Sequence, residues 1–415
     1  MIKIKPLRGL RPAIEFTAQV ASPPYDVLSS AEARDIATNN PLSFLHINKP
    51  EIDLPPEIDI HGQQVYEQGR ANLERFIRDG VLIQDEKEAI YIYRQTWQDH
   101  VQTGYFCLSS VQDYDQGRIK KHELTRADKE QDRTHLIDVM DAQVGPVFLM
   151  YRSQKALDLL LQEAAEADAE VDFTTADGVR HQLWRVIDPH FIARIVDGFA
   201  ALAATYIADG HHRSAAASNV CRLRRQRNPQ NTGEESYNFF LSVLFPHNQL
   251  KILPYNRAIR DLNGYGAQQF IDRLAEKFSL EPVQGRIQVE KEHTFGMYLD
   301  HVWWKLTPKD GLFDRDDVLG SLDVNILLNH ILQPILQIGN PRTDPRIDFI
   351  GGIRGNAELE RIVDSGAFRI AFSLYPTTVD TLMRVADAGE IMPPKSTWFE
   401  PKLRSGLVVH LLHDF

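Results

Sequence analysis

Residues Tyr206-Ile207-Ala208-Asp209-Gly210-His211-His212-Arg213-Ser214-Ala215-Ala216-Ala217 crowd an acid, a glycine, two histidines, an arginine and a hydroxyl into the point where an apolar run meets a run of alanines. Alanine is the best helix former, so the backbone N–H groups from Gly210 to Arg213 are expected to be donors at the positive end of a helix dipole, a natural seat for an anion. Arg213 adds a planar fork suited to phosphate, and His211 and His212 add titratable donors. Asp209 could hold Mg2+, orient a histidine or simply cap the helix. Neighbouring histidines cannot point the same way in regular structure, so only one is expected to face a ligand. A strand–glycine–helix bend is also how many α/β chains turn, but a structural turn needs only the glycine.

Two further stretches carry candidate chemistry. In Met392-Pro393-Pro394-Lys395-Ser396-Thr397 two prolines stiffen the backbone before a lysine and two hydroxyls, which suits phosphate because little ordering entropy is lost on binding. The glycines of a P-loop are missing. Lys402 and Arg404 could add charge to the same face. In Lys120-Lys121-His122-Glu123-Leu124-Thr125-Arg126, continuing to Asp132-Arg133, the position that H-E-x-x-H requires for its second histidine is Arg126, which excludes that zinc-protease motif. A metal-dependent hydrolase using His122, His211 and His212 has no specific ligand spacing behind it. Tyr25-Asp26 and Arg354, between glycines, complete the candidates.

Composition narrows the classes. With 415 residues the chain is too long for one small core. Its 43% hydrophobic and 25% charged residues are ordinary globular values. No apolar run approaches the ~20 residues of a membrane span and the start lacks a secretory apolar stretch, so a cytoplasmic protein is expected. A net charge of −11 argues against DNA as partner, since non-specific binding needs a basic surface. The basic run RLRRQR, Arg222 to Arg227, is expected to be a solvated helix end. Cys107 and Cys221 have no metal or disulfide spacing.

The elements that must position these residues follow from periodicity. Ser29 and Glu32 have capping-box spacing and open a helix toward Asn39, and a second helix is expected over 62–79. Alternation predicts strands at 89–96 and 104–114, a hairpin over 171–187 around Asp177-Gly178, and a helix opened by Asp188-Pro189 that leads into a strand at 204–208. Residues 237–245 and 251–253 are expected to pair across 246–249. Strands and helices alternate to the C-terminus. The expected fold class is α+β, with mixed sheets and flanking helices, in two lobes: 1–260, the nucleotide-binding lobe, and 261–415, contributing the MPPKST loop to the same cleft.

The box Asp209-Gly210-His211-His212-Arg213 resembles that of the ParB and sulfiredoxin superfamily, glycine then arginine then alanine, and its Asp-Gly-His is similar to the version in free-serine kinases. PPYDV (23–27), SFLHINKPEIDLP (43–55), YIYRQ (91–95), IKKHELT (119–125), IADGHHR (207–213) and MPPKSTWFEPKLRSGL (392–407) identify the chain as a member of the prokaryotic family called domain of unknown function 1015. The first resemblance implies a ParB/sulfiredoxin-like nucleotide-binding core. Sulfiredoxin chemistry would need a cysteine in the box, where histidines stand. What the kinship implies is a phosphotransferase using ATP or ADP with Mg2+. Gly210, His211, His212, Arg213 and Ser214 would hold phosphates together with Ser396 and Thr397, Lys395 with Arg133 or Arg126 would neutralise transferred charge, and Asp209 would hold the metal. Such a kinase needs a carboxylate to accept the proton of a small hydroxyl acceptor, for which Glu123 is the candidate, with His211 and Asp209 beside it. Free serine is the acceptor the superfamily suggests. The alternatives are a nucleotide hydrolase, in which water replaces the hydroxyl, and a nucleotide-sensing or partner-binding module that closes or forms a homodimer without turnover.

Overall fold

The computed structural model describes residues 1–413 and is mixed α+β, as the interleaved patterns predict. It forms two compact units, Met1–Leu250 joined by the segment from Pro401, and Lys251–Glu400. The expected division after residue 260 thus meets an observed break at Leu250, and the last segment returns to the first unit. Apolar residues draw it back. Val409 and Leu411 are buried beside Phe44, Phe76 and Leu136, His410–Leu411 pairs with Ala142–Gln143, and Leu10 and Val409 exchange backbone hydrogen bonds of 3.0 and 2.9 Å.

The first unit is built on a nine-stranded sheet. Its path runs Ile119–Lys120, Thr205–Asp209, Val147–Tyr151, Phe239–Pro246, His100–Ser110, Ile90–Trp97, Val179–Val186 and Val171–Thr174, with Ile4–Lys5 also on the long strand. Thr205–Asp209 runs parallel to Ile119–Lys120, and Phe239–Pro246 runs parallel to Val147–Tyr151. Every other pairing in this sheet is antiparallel. The helix after the box, His211–Arg227, buries Ala215, Ala216, Ala217, Val220 and Cys221 in the core beneath the sheet. Small side chains let this helix lie close to its neighbours.

Local signals account for most boundaries. Ser29 and Glu32 form the reciprocal capping box on Ser30–Ala37, and Asp188 accepts from the backbone N–H groups of His190 and Phe191. Two expectations are corrected. The strand expected to reach residue 114 stops at Ser110, and Val111–Asp115 is helical. Lys251–Leu253 pairs with Trp398–Glu400 and not with the preceding strand, because the chain has already entered the second unit. The charged stretch after Arg126 is the start of a helix, Ala127–Met140. That helix answers the basic run: Arg224 and Arg227 pair with its Asp138, and Arg224 also with Asp141.

The second unit carries a six-stranded antiparallel sheet in the order Phe278–Val283, Val302–Pro308, Phe295–Leu299, Ile370–Leu374, Tyr255–Ile259 and Ile347–Gly351. Helix Gly355–Asp364 packs Leu359, Ile362 and Val363 into a core with Trp303 and Ile350.

In the first unit Asp85 is buried under four donors. Arg11 grips it through two bonds of 2.8 and 2.9 Å, Arg185 lies at 2.9 Å and the Tyr91 hydroxyl at 2.5 Å. Burial alone would raise its pKa, but the Arg11 and Tyr91 hydrogen bonds and the arginine charges hold it below the ordinary 3.8. A depressed folded-state pKa stabilises the fold above the unfolded value, and that stability is lost as pH falls through the folded one. Urea unfolding from pH 7 to 3 should therefore show the parent protein losing stability below about pH 4 and Asp85→Asn losing less over the same window. At pH 7, Arg11→Met should cost about 3 kcal/mol.

Candidate functional site

Two parallel strands deliver the site residues from their carboxyl ends, the edge where α/β sheets bind ligands. Ile119–Lys120 is followed at once by Lys121, His122 and Glu123, and Thr205–Asp209 by Gly210 and the box helix. A register shift between Ile207 and Asp209 interrupts the ladder with Val147–Tyr151. Such irregularities re-aim a side chain at the end of a strand, here that of Asp209. Gly210 then turns at φ 100° and ψ 30°, a left-handed conformation that only glycine adopts without strain. The first helical bond runs from the Ser214 N–H to the Gly210 carbonyl at 2.9 Å, so the amides of His211, His212 and Arg213 form the donor end of the helix. The Ser214 hydroxyl donates to the same carbonyl at 3.1 Å. It braces the turn.

Asp209 stands between two cations. Its Oδ2 lies 3.4 Å from Lys402 Nζ and 3.7 Å from Arg213 Nη2. Burial would push this carboxyl up, but Lys402, Arg213 and His211 hold it far below the usual carboxylate range. Lys402 arrives on the segment that returned from Glu400, and the Gln95 side-chain amide holds its carbonyl at 2.9 Å. Arg404 does not join it. Its guanidinium donates to Asp177, to the Thr175 hydroxyl at 3.0 Å and to His181 Nε2, within the 171–186 hairpin.

Arg213 differs most from its expected role. It is 8% exposed, donates to the Pro146 carbonyl and pairs with Asp26 at 3.2 Å as well as with Asp209. The fork expected to face phosphate is thus turned behind the box, where it ties the PPYDV turn to the strand end. Beside it Tyr25 sits under Arg133, whose guanidinium is 4.2 Å from the ring centroid, and burial raises the Tyr25 hydroxyl to about 12. Arg133 is itself clamped by Asp132 at 2.6 Å, and Asp132 also binds His61 and Tyr66. The cavity between Tyr25, Arg133, Arg213 and Asn48 has a volume of about 30 Å³, room for about one water.

The histidines part company as expected. The ring of His211 is buried and meets His122 edge-on with centroids 4.5 Å apart, and Glu123 brings its carboxylate to the same pair, the three ligand atoms all lying within 4.8 Å of one another. Burial first, then the nearby His122, keeps His211 well below the ordinary histidine value. Burial lowers His122 to about 4 against the opposing pull of the Ile207 carbonyl and Asp209. His212 faces away, half-buried, and its Nε2 accepts from the Arg126 backbone N–H at 3.0 Å. The Arg126 side chain is exposed and paired with Asp128.

Lys395, Ser396 and Thr397 belong to the second unit. Lys395 takes φ 59° and carries its ammonium 5.6 Å from the Tyr255 ring centroid, while its carbonyl accepts from the buried Arg257 at 3.0 Å. The Ser396 hydroxyl donates to the Pro393 carbonyl at 2.6 Å, and Thr377 donates to the Ser396 carbonyl. These bonds hold the turn in shape. Arg354 is exposed and pairs loosely with Glu358 at 3.8 Å.

The structure thus gathers Asp209, Gly210, His211 and Glu123 with His122 and Lys402, and sets Arg133, Arg126 and His212 on the flanks. Two contributors escaped the sequence reasoning. The Pro146 carbonyl carries no sequence signal, whereas Asn48 lies in the SFLHIN string, where an amide among apolar residues was the available clue. The box also yields a sharp test. A Cβ on Gly210 would stand 3.3 Å from the Arg213 guanidinium and 3.4 Å from the Val147 Cα, on a backbone that L-residues rarely adopt. Gly210→Ala should lower stability by about 1–2 kcal/mol, read as a shift of the urea midpoint at constant slope.

Comparison with known proteins places the chain. No curated protein sequence matches it. Solved structures resemble it distantly. A free serine kinase in complex with AMP is 13% identical, covering 73% of this chain and 91% of that one at a TM-score of 0.35. A conserved hypothetical protein from Pyrococcus furiosus is 13% identical over 74% of this chain and 95% of its own, also at 0.35. SbnI from Staphylococcus aureus, truncated at its C-terminus, is 11% identical over 74% and 87% at 0.36. Likeness at this level places no ligand and assigns no role. The sequence profile described as "Protein of unknown function (DUF1015)" matches residues 4–325, well over half of the chain, and the protein belongs to that family.

Proposed function

We propose that the protein is a nucleotide-dependent phosphotransferase acting on a small hydroxyl metabolite. The observation that carries the proposal is the glycine-opened helix of the box, whose donor end lies at the carboxyl edge of two parallel strands beside a carboxylate, Glu123, and a buried imidazole, His211. Phosphates would meet the amides of His211 to Arg213, with His212 and Arg126 at the rim. Arg213 acts from behind by fixing Asp26 and Asp209. Glu123 would take the proton of the acceptor hydroxyl. ATP or ADP is the expected donor, and free serine the acceptor class suggested by the box's likeness to that of the serine kinases. Asp209 offers one carboxylate oxygen for Mg2+, which suits an ion that usually takes one or two carboxylates together with substrate phosphates. Its two cationic neighbours would oppose a third cation there, so the nucleotide phosphates would have to supply most of the ion's ligands.

Ligands that bind only the folded state raise the melting temperature by mass action. In EDTA-treated protein, ATP or ADP should raise it once Mg2+ is restored, and His212→Ala should weaken the shift. Glu123→Gln should keep the shift while phosphorus NMR with pooled amino acids and sugars shows transfer falling by about 10²–10⁴-fold. Phosphate release without any acceptor would make the protein a hydrolase, and a shift without turnover would make it a sensor. No shift with any nucleotide at millimolar concentration would end the proposal.

A further inference from the structure

His122, Glu123 and His211 share a geometry that phosphate transfer does not require. Two imidazoles stand edge to face with centroids 4.5 Å apart, and a carboxylate reaches the same point, with one ligand atom from each residue inside a 4.8 Å span. The two rings are buried at 2% and 7% exposure, and the glutamate at their rim is half-buried. A core histidine pair needs no acid, and a rim acid needs no histidines.

The hydrogen bonds set the tautomers. The ring of His122 is hydrogen-bonded to the Ile207 carbonyl, which a ring N–H must donate, so a neutral ring presents its lone pair on the other nitrogen. A ring N–H given to a backbone carbonyl is the usual outer support of a metal-bound histidine. His211 turns Nε2 toward the His122 backbone N–H at 3.4 Å, at the long limit of a hydrogen bond, so that lone pair is available to a cation at small cost. Burial favours the neutral form of both rings, the form that binds metal. Asp209 adds negative charge next to both.

We propose that His122, Glu123 and His211 form a two-histidine, one-carboxylate site for a first-row divalent transition metal. Three protein ligands leave an open position for water or substrate, the arrangement of catalytic rather than structural sites. Imidazole donors select zinc, manganese, iron, cobalt or nickel over magnesium and calcium, which take oxygen. Tetrahedral ligands on 2.0–2.1 Å bonds stand about 3.4 Å apart, so a pair at the 4.8 Å limit must close by about 1.4 Å. The site shares Glu123 and His211 with the nucleotide proposal but does not need a nucleotide, and when metal is bound Glu123 is a ligand and not a free base.

The test uses the full chain stripped with EDTA and titrated with Co2+, without nucleotide. One equivalent should bind and give the visible bands of nitrogen and oxygen ligation, Zn2+ should displace it, and millimolar Mg2+ should not. Glu123→Gln should weaken Co2+ binding at least about tenfold, and His122→Gln should remove the bands. Circular dichroism checks the fold of both variants. Loss of the bands in His122→Gln counts only if the fold is kept, and Glu123→Gln, at the rim, decides the matter alone if it is not. Absence of a one-to-one complex, or equal affinity in the parent and Glu123→Gln, would show adventitious metal only and overturn the proposal. Nucleotide shifts measured in EDTA-treated protein with Mg2+ restored, and no transition metal added, report on the other proposal separately.

Discussion

A carboxylate held between two cations organises the candidate site. Asp209 ends a strand, and Lys402 and Arg213 converge on one of its oxygens. Each cation reaches Asp209 from a different stretch of chain, Lys402 from the returning C-terminal segment and Arg213 from the first turn of the box helix. Arg213 extends the tie to Asp26 and the Pro146 carbonyl. Truncating any one of the three would leave partly buried charge less fully compensated, and that asymmetry makes such an arrangement specific even where its net contribution to stability is small.

That constraint also sorts the roles of neighbouring groups. Because the Arg213 guanidinium faces two acids and a carbonyl, an anion at the box would meet the backbone amides and the helix dipole rather than that side chain. Gly210 makes this possible, since its left-handed backbone lets the strand end and the helix begin without an intervening loop. The alanines that follow have the same logic. They pack the helix close beneath the sheet, which sets the position of its first turn and hence of His211 against His122.

Parallel pairing is the exception in this sheet, and one of its two instances falls at the candidate site. Ile119–Lys120 is only two residues long, yet its alignment with Thr205–Asp209 brings His122 and Glu123 to the level of the box. Strands that run the same way end at the same edge, so residues eighty-odd positions apart in sequence become neighbours without any long loop between them. Charge elsewhere is neutralised locally: the basic run of the box helix pairs with Asp138 and Asp141, which leaves no continuous basic face on that helix.

Local chemistry was legible in the chain itself. The capping box at Ser29 and Glu32, the Asp188-Pro189 helix start, the 171–187 hairpin and the strand-to-helix bend at Gly210 all follow from residues that act on their own backbone within a few positions. The acid, glycine and histidines of the box could be named for the same reason. What decided the direction of Arg213, the partner of Lys251–Leu253, the return of the chain after Glu400 and the meeting of His122 with His211 was long-range burial. A buried guanidinium must find carboxylates wherever the packed sheet offers them, and an apolar tail must find a core, and neither destination is written within reach of the residue that seeks it.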